Sequence, residues 1–146
     1  PDPSYLRNAH ERLTTMGYAH GINFNFDAIA KSPNTLDAHR LIQWAGEQGL
    51  QNQVVDALFK AYFEQGRDIG DHAVLVDIAS AQGLDKSEIE KKLSRDDDVE
   101  SVREEIQEAQ RLGITGVPFF IFNQKLAASG AQPPEQLLAA IKQARA

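Results

Sequence analysis

The stretch GITGVPFFIF, residues 113–122, marks the place where the period of the sequence changes. Ahead of it, apolar residues recur at every third or fourth position, which is typical of helices. Residues 117–122 instead form a compact run of β-branched and aromatic side chains, which is typical of a strand. Asn123 and Gln124 make a plausible hairpin turn, and the strand pattern returns over 125–129. The sequence predicts a sheet at this place alone.

A terminal helix is predicted after the hairpin, because Gly130, Pro133 and Pro134 end the strand pattern and an amphipathic run follows. The residues expected on its inner face are Leu137, Leu138 and Ile141. A two-stranded hairpin with one helix buries too little apolar surface to be stable by itself, and residues 119–122 read as apolar on both faces. We therefore expect further strands, from a segment preceding Pro1 or from a second copy of the chain.

Six helices are predicted ahead of the hairpin, each bounded by Gly, Asn or Asp. In chain order they run from a cap at Asp2 or Ser4 to about Tyr18, from Thr35 to about Gln48, from Gln51 to about Gln65, from a cap at Asp71 to Gly83, from a cap at Asp85 through Leu93, and from Val99 to about Leu112. Between the first two, Ile22, Phe24 and Phe26 alternate with polar residues, which predicts a stretched connector without a sheet.

The apolar faces of these helices define the expected core. The inner face expected for the first helix consists of Tyr5, Leu6, Ala9, Leu13 and Met16. The inner face expected for the second consists of Leu36, His39, Ile42, Trp44 and Ala45. The third helix carries Phe59, Tyr62 and Phe63 on a wide apolar face, so it is expected to be central and these rings to be core. The acidic run at 96–98 is expected to open the sixth helix, where the macrodipole favours negative charge.

Composition excludes several classes of function. Lys and Arg number 15 against 21 Asp and Glu, so the net charge of -6 gives no electrostatic basis for binding a phosphate backbone. Nucleic acid is therefore not an expected partner. No apolar run is long enough to span a bilayer, so a membrane is not an expected partner either. The four histidines have no spacing that makes a metal site. Cysteine is absent, so this chain alone has no thiolate chemistry.

Three residues are candidates for a functional role, and each of them also has a purely structural interpretation. Pro118, taken alone, is an edge-strand or turn proline. Asn34 can cap the second helix by accepting a hydrogen bond from its early amides. His39 can be a hydrogen-bonded histidine on a half-buried helical face.

Two longer strings carry a resemblance to a known family. TGVPFFIF at 115–122, followed by SGAQPPE at 129–135, resembles the DsbA-like dithiol oxidoreductases of the thioredoxin superfamily, specifically the FrnE-like branch. NTLDAHRL at 34–41 resembles the opening of a helix in the inserted helical domain of that branch. The resemblance implies an α/β fold, the C-terminal part of a thioredoxin-like fold. A large helical insertion over 1–112 is followed by a β-β-α part over 113–146.

The resemblance implies a thiol–disulfide oxidoreductase in which the Val117–Pro118 bond is cis. A proline has no amide hydrogen, so it leaves the strand edge beside it free, and the residues ahead of it can pair with an extended substrate. The implied substrate-binding residues are Thr115, Val117, Pro118, Asn34 and His39. The implied substrate is a peptide or a small thiol or disulfide, and glutathione is one candidate substrate. The resemblance also implies that no cofactor is used and that the location is cytoplasmic.

The family's Cys-x-x-Cys pair lies at the start of the first helix, where the dipole lowers the pKa of the attacking thiol. No residue of this chain matches that motif, so the catalytic nucleophile is expected upstream and the chain alone is expected to be inactive. Two alternatives stay open. One is a glutathione-dependent transferase or isomerase resembling the kappa class and the 2-hydroxychromene-2-carboxylate isomerases. The other is a redox-inactive thioredoxin-like binding module.

Overall fold

The computed structural model describes residues 3–145, which form seven α-helices and one β-hairpin. The elements are, in chain order, α1 (Pro3–Tyr18), α2 (Leu36–Glu47), α3 (Gln51–Phe59), α4 (His72–Ala81), α5 (Lys86–Leu93), α6 (Val99–Arg111), β1 (Phe119–Phe122), β2 (Leu126–Ser129) and α7 (Pro134–Arg145). The predicted order of helices, strand, strand and helix is confirmed. The chain divides into two compact units between Val102 and Arg103. The domain boundary expected between residues 112 and 113 stays a prediction.

The start signals of two helices are confirmed by their hydrogen bonds. One carboxylate oxygen of Asp71 accepts from the amide of Ala73 at 2.8 Å, and one of Asp85 accepts from the amide of Glu88 at 2.8 Å. Each satisfies an amide that the helix itself leaves without a partner. For α1, Ser4 lies within the helix, whereas Asp2 lies outside the described residues.

The core of the first unit is built by α2, α3, α4 and α5. Its fully buried large side chains include Leu41, Trp44, Val54, Leu75 and Ile89. The third helix packs against both α2 and α4, which confirms the prediction that it has neighbours on more than one side. This four-helix core is what positions the loops and side chains described below.

The prediction for the apolar face of α1 is wrong for four of its five residues, and only Ala9 is half-buried. Tyr5 and Met16 are 70% and 61% exposed, and Leu6 and Leu13 are exposed as well. Amphipathic spacing identifies an apolar face but does not say what covers it, and no described element covers this one. The contacts of the helix lie elsewhere, at Gly17, which is buried, and at His10, whose ring stacks on that of Phe26.

The connector after α1 has no strand among the described residues, as expected. It ends in a 3-10 turn over Phe26–Ala28, and the rings of Phe24 and Phe26 stack with centroids 5.1 Å apart. The amide of Asn25 donates to the carbonyl of Phe63 at 2.8 Å, and the ring of Phe24 meets that of Phe63 edge-on at 5.9 Å. The connector is therefore fastened to the end of the third helix.

The third helix does not end at Phe59 but continues as a π-helical turn over Lys60–Glu64. The amide of Gln65 donates to the carbonyl of Lys60 at 3.1 Å, five residues back. The predicted extent of this helix is thus confirmed, but the prediction that its aromatic stripe is core is wrong for Phe59, which is 58% exposed. The wider turn brings Tyr62 and Phe63 to half-buried positions and leaves Phe59 facing a groove.

The second unit contains an antiparallel hairpin in which Phe119 pairs with Ser129 and Phe122 with Leu126. Its turn is the predicted one. Asn123 and Gln124 have φ of 51° and 56°, both in the left-handed region that hairpin turns favour. The amide side chain of Asn123 also donates to the carbonyl of Ala144 at 3.0 Å, which ties the turn to α7.

The inner face predicted for α7 is only partly covered. Leu137 is half-buried, but Leu138 is 51% and Ile141 36% exposed, so the prediction is wrong for these two. Ile121 in β1 is 52% exposed. The physical reason is that the two described strands are too narrow to cover an amphipathic helix. The expectation of further strands stays a prediction.

Candidate functional site

The segment ahead of β1 presents an open backbone. Val117 is 89% exposed, Thr115 and Pro118 are exposed as well, and the Val117–Pro118 bond is cis, the geometry that the resemblance implies. The carbonyl of Pro118 accepts from the amide of Gly130 at 2.8 Å, which closes the end of the hairpin. Within residues 3–145, the backbone groups of 115–117 make no hydrogen bond. An extended chain can therefore pair with them as an added strand.

Asn34 is the helix cap that its plain interpretation predicted. Its side-chain oxygen accepts from the amide of Leu36 at 3.1 Å, at the start of α2. Thr35, which directly precedes the helix, makes no such bond with its own side chain. Direct contact between Asn34 and a ligand stays a prediction.

His39 does not lie on a half-buried face, and the expectation that it belongs to the inward stripe of α2 is wrong. It is exposed, and the next residue, Arg40, takes the buried position with an exposed fraction of 2%. The physical reason is that Arg40 finds a partner for its charge inside the unit, as shown below. His39 instead lines an apolar groove of about 480 Å³, formed with Phe59 and Phe63 of the third helix.

The five predicted site residues thus fall into two groups, one in each unit. Asn34 and His39 lie together at the start of α2, and Thr115, Val117 and Pro118 lie together ahead of β1. The first group adjoins a groove for apolar atoms, and the second offers backbone hydrogen bonds.

The buried charged side chain beside this site that sequence reasoning missed is Arg40. Its guanidinium donates to the carbonyls of Lys92, Arg95 and Asp97, each at 2.7 Å, and to the carboxylate of Asp37 at 2.7 Å. A planar guanidinium carries five donors in a fixed fork, which suits such a convergent set of acceptors. Arg40 therefore joins α2 to the loop between α5 and α6.

Asp37 connects this network to a third helix. Its second carboxylate oxygen lies 2.8 Å from Nε2 of His72, the first residue of α4. Burial alone would raise the pKa of Asp37, but the hydrogen bonds and charges of Arg40 and His72 outweigh it and hold that pKa below its ordinary value. The beginnings of α2 and α4 are fastened together by one carboxylate.

Trp44 and Asp98 complete the network. The indole nitrogen of Trp44 donates to a carboxylate oxygen of Asp98 at 2.8 Å, and the guanidinium of Arg40 lies 5.0 Å from the indole centroid. Asp98 has a φ of 60°, so part of the expected acidic helix opening is a left-handed residue that holds a core ring. The spacing of Asp37, Arg40 and Trp44 by three and four residues was the available signal for these contacts.

Comparisons with known proteins identify the family. A model of the DSBA-like thioredoxin domain matches residues 2–142. The chain belongs to this family. It is similar to the crystal structure of a probable DsbA oxidoreductase from Streptomyces coelicolor, with 31% identity and a TM-score of 0.86, over 97% of this chain and 61% of that one. It is also 27% identical to the uncharacterized protein YwbO of Bacillus subtilis (strain 168), over 89% of this chain and 66% of that protein.

The DsbA-like family and the thioredoxin-like α/β fold are thus confirmed. The chain spans less than two thirds of the length of each of these two relatives. Its 146 residues contain no cysteine, and the described ones contain no group of three or more acidic or histidine side chains able to hold a metal ion. No helix between residues 3 and 145 is long and apolar enough to cross a membrane.

Proposed function

We propose that the protein is a thiol–disulfide oxidoreductase of the FrnE-like branch, and that residues 115–117 bind its substrate by backbone pairing. The observation that carries the proposal is the unpaired backbone directly ahead of β1 in a chain of the DsbA-like family. The exposure of Val117 supports it, because an added strand needs an edge that no side chain of the protein covers.

The proposed reaction needs a cysteine pair outside these 146 residues. A thiolate attacks one sulfur of the substrate disulfide; the substrate S–S bond breaks, its other sulfur leaves as a thiol, and a mixed disulfide forms. The second cysteine then displaces the remaining substrate sulfur as a thiol, which leaves an enzyme disulfide that a dithiol reductant such as dithiothreitol returns to the dithiol. This chain binds and orients the substrate. The backbone of Thr115 and Val117 pairs with the residues that flank the substrate sulfur, and Pro118, which has no amide hydrogen, donates nothing in competition.

The proposal extends to the features that were expected from the resemblance. The substrate is a peptide or a small thiol or disulfide, glutathione included, no cofactor is used, and the location is cytoplasmic. Asn34 and His39 contribute to substrate binding from the helical unit. An N-terminal segment or a second copy supplies the strands that complete the sheet.

The test is the reduction of a disulfide-bonded peptide by the full-length protein with dithiothreitol as electron donor. We expect turnover above the uncatalysed rate. In Val117→Pro the amide donor is lost, so KM rises by roughly threefold to tenfold, the equivalent of one hydrogen bond, while kcat changes little. Val117→Ala keeps the amide and serves as the matched variant, with a smaller rise in KM.

Each outcome has a meaning for the open alternatives. Absence of turnover in the folded protein would contradict oxidoreductase activity and favour the binding module. Formation of glutathione conjugates, or glutathione-dependent isomerisation, without peptide reduction would favour the transferase or isomerase. Equal KM in the alanine and proline variants would contradict backbone pairing, even if the enzyme is active.

A further inference from the structure

We propose that the groove between α2 and the third helix is a binding site for an uncharged small molecule with an apolar ring or alkyl body and a hydrogen-bonding end. The site lies wholly within the helical unit and does not depend on the proposed thiol chemistry.

The size and lining of the groove fit such a ligand. Its volume of about 480 Å³ lies within the range of roughly 300–1,000 Å³ that is usual for small-molecule sites. The third helix contributes apolar walls through Val55, Leu58, Phe59 and Phe63. The rings of Phe59 and Phe63 lie 6.1 Å apart and tilted, so they offer two aromatic surfaces to a bound ring.

Hydrogen-bonding side chains lie on the opposite wall. Ser32, Thr35 and His39 line the groove from α2 and the loop before it. Their side chains make no hydrogen bond to another residue among those described, 3–145. Two hydroxyls and an imidazole facing an otherwise apolar space are available to a ligand and give it one preferred orientation.

Charge decides the class of ligand. No Lys, Arg, Asp or Glu lines the groove. The neighbouring Lys31 has its ammonium 2.7 Å from the carboxylate of Asp68, and this contact raises the pKa of Lys31 and lowers that of Asp68. An anionic ligand would thus lose its hydration without gaining a lysine or arginine partner. The lining favours a neutral molecule over an anion.

The wall of the groove is flanked by ion pairs on both sides. The wall formed by residues 32–35 is fastened at one end by the ion pair of Lys31 with Asp68 and at the other by the contacts of Asp37 with Arg40 and His72. The π-helical turn over Lys60–Glu64 sets the direction of Tyr62 and Phe63, and such turns recur at functional sites. A preformed groove binds without a large ordering cost.

The test uses two probes that share one ring system. N-phenyl-1-naphthylamine is uncharged, whereas 8-anilino-1-naphthalenesulfonate carries an added sulfonate, and both fluoresce on burial. With the full-length protein we expect a single site for the uncharged probe and a dissociation constant at least about tenfold higher for the sulfonate, a difference of about 1.4 kcal/mol.

Two variants locate the site. Phe59→Asp places a charge in the groove at an exposed position. We expect it to raise the dissociation constant of the uncharged probe by at least about tenfold. Leu13→Asp, on the bare face of α1, is the matched control and is expected to leave binding unchanged. Circular dichroism confirms that both variants fold.

Three results would overturn the proposal: no saturable binding of the uncharged probe, equal affinity for the sulfonate, or loss of binding in Leu13→Asp but not in Phe59→Asp. If Phe59→Asp fails to fold, His39→Asp, at an exposed position, replaces it with the same expectation. The measurement involves no thiol, so its failure is distinct from a failure of peptide reduction.

Discussion

The four-helix core of the first unit and the second unit treat their apolar residues in opposite ways. In that core, Leu41 and Leu75 are 0% exposed, and even the charge of Arg40 is buried, with each of its three side-chain nitrogens donating a hydrogen bond. In the second, Ile121 and Leu138 are about half exposed, and the only residue of α7 that is buried is Ala144. The difference teaches that α2 to α5 close a core among themselves, whereas the hairpin and α7 leave much of their apolar surface exposed within residues 3–145.

The largest expected effect comes from Arg40→Ala. It removes one member of a buried ion pair and leaves the carbonyls of Lys92, Arg95 and Asp97 without their donor, so we expect a loss of about 3–5 kcal/mol in the free energy of unfolding. Urea denaturation measures it. Arg67→Ala is the control, because its pair with Asp77 is exposed and such pairs contribute about 0–1 kcal/mol. Equal losses in both variants would contradict the proposed role of Arg40.

A pair of leucine truncations tests the contrast between the units directly. Leu75→Ala creates a cavity in a closed core, and we expect it to cost about 2–5 kcal/mol. Leu138→Ala removes a side chain that is 51% exposed in this chain, and we expect it to cost less than about 1 kcal/mol in the 146-residue chain. A large cost for Leu138→Ala there would show that the second unit is closed after all.

The smallest expected effect concerns how the stability of the protein changes at acidic pH. The pKa of Asp37 is lowered in the fold, so its carboxylate contributes stability that is present above the unfolded value, about 3.8, and is lost as the pH falls through the lower folded value. Asp37→Asn removes this contribution at every pH. We expect the unfolding curves of the two proteins to differ at neutral pH and to converge on acidification. A constant difference would mean that Asp37 does not titrate with folding.

Much of the fold could be predicted because its signals are local. Caps at Asp71 and Asp85, the turn at Asn123 and the change of period ahead of β1 each depend on neighbours a few residues away. The open backbone around Val117 was predicted for the same reason, since it depends on the chemistry of proline together with a resemblance in adjacent residues.

What could not be predicted depends on distant partners. His39 and Arg40 are adjacent and both polar, and only three carbonyls more than fifty residues away, at the end of α5 and in the loop after it, decide that Arg40 is the buried one. The bare face of α1 has the same origin, because periodicity records that a face is apolar and not what meets it. The groove beside His39 also needed the π-helical turn, for which the sequence offers no plain signal.

The orientation of α1 depends on the absence of a side chain at Gly17. A Cβ built there would lie 2.6 Å from a ring carbon of Phe24, so any side chain larger than hydrogen would force that ring away. The ring is stacked in turn on Phe26, which lies 4.2 Å from the imidazole of His10. The missing methyl group thus permits a short aromatic column to run beneath α1. Because Gly17 has no Cβ, the ring of Phe24 can pack against α1 at this point, and this contact sets which face of the helix is turned to solvent.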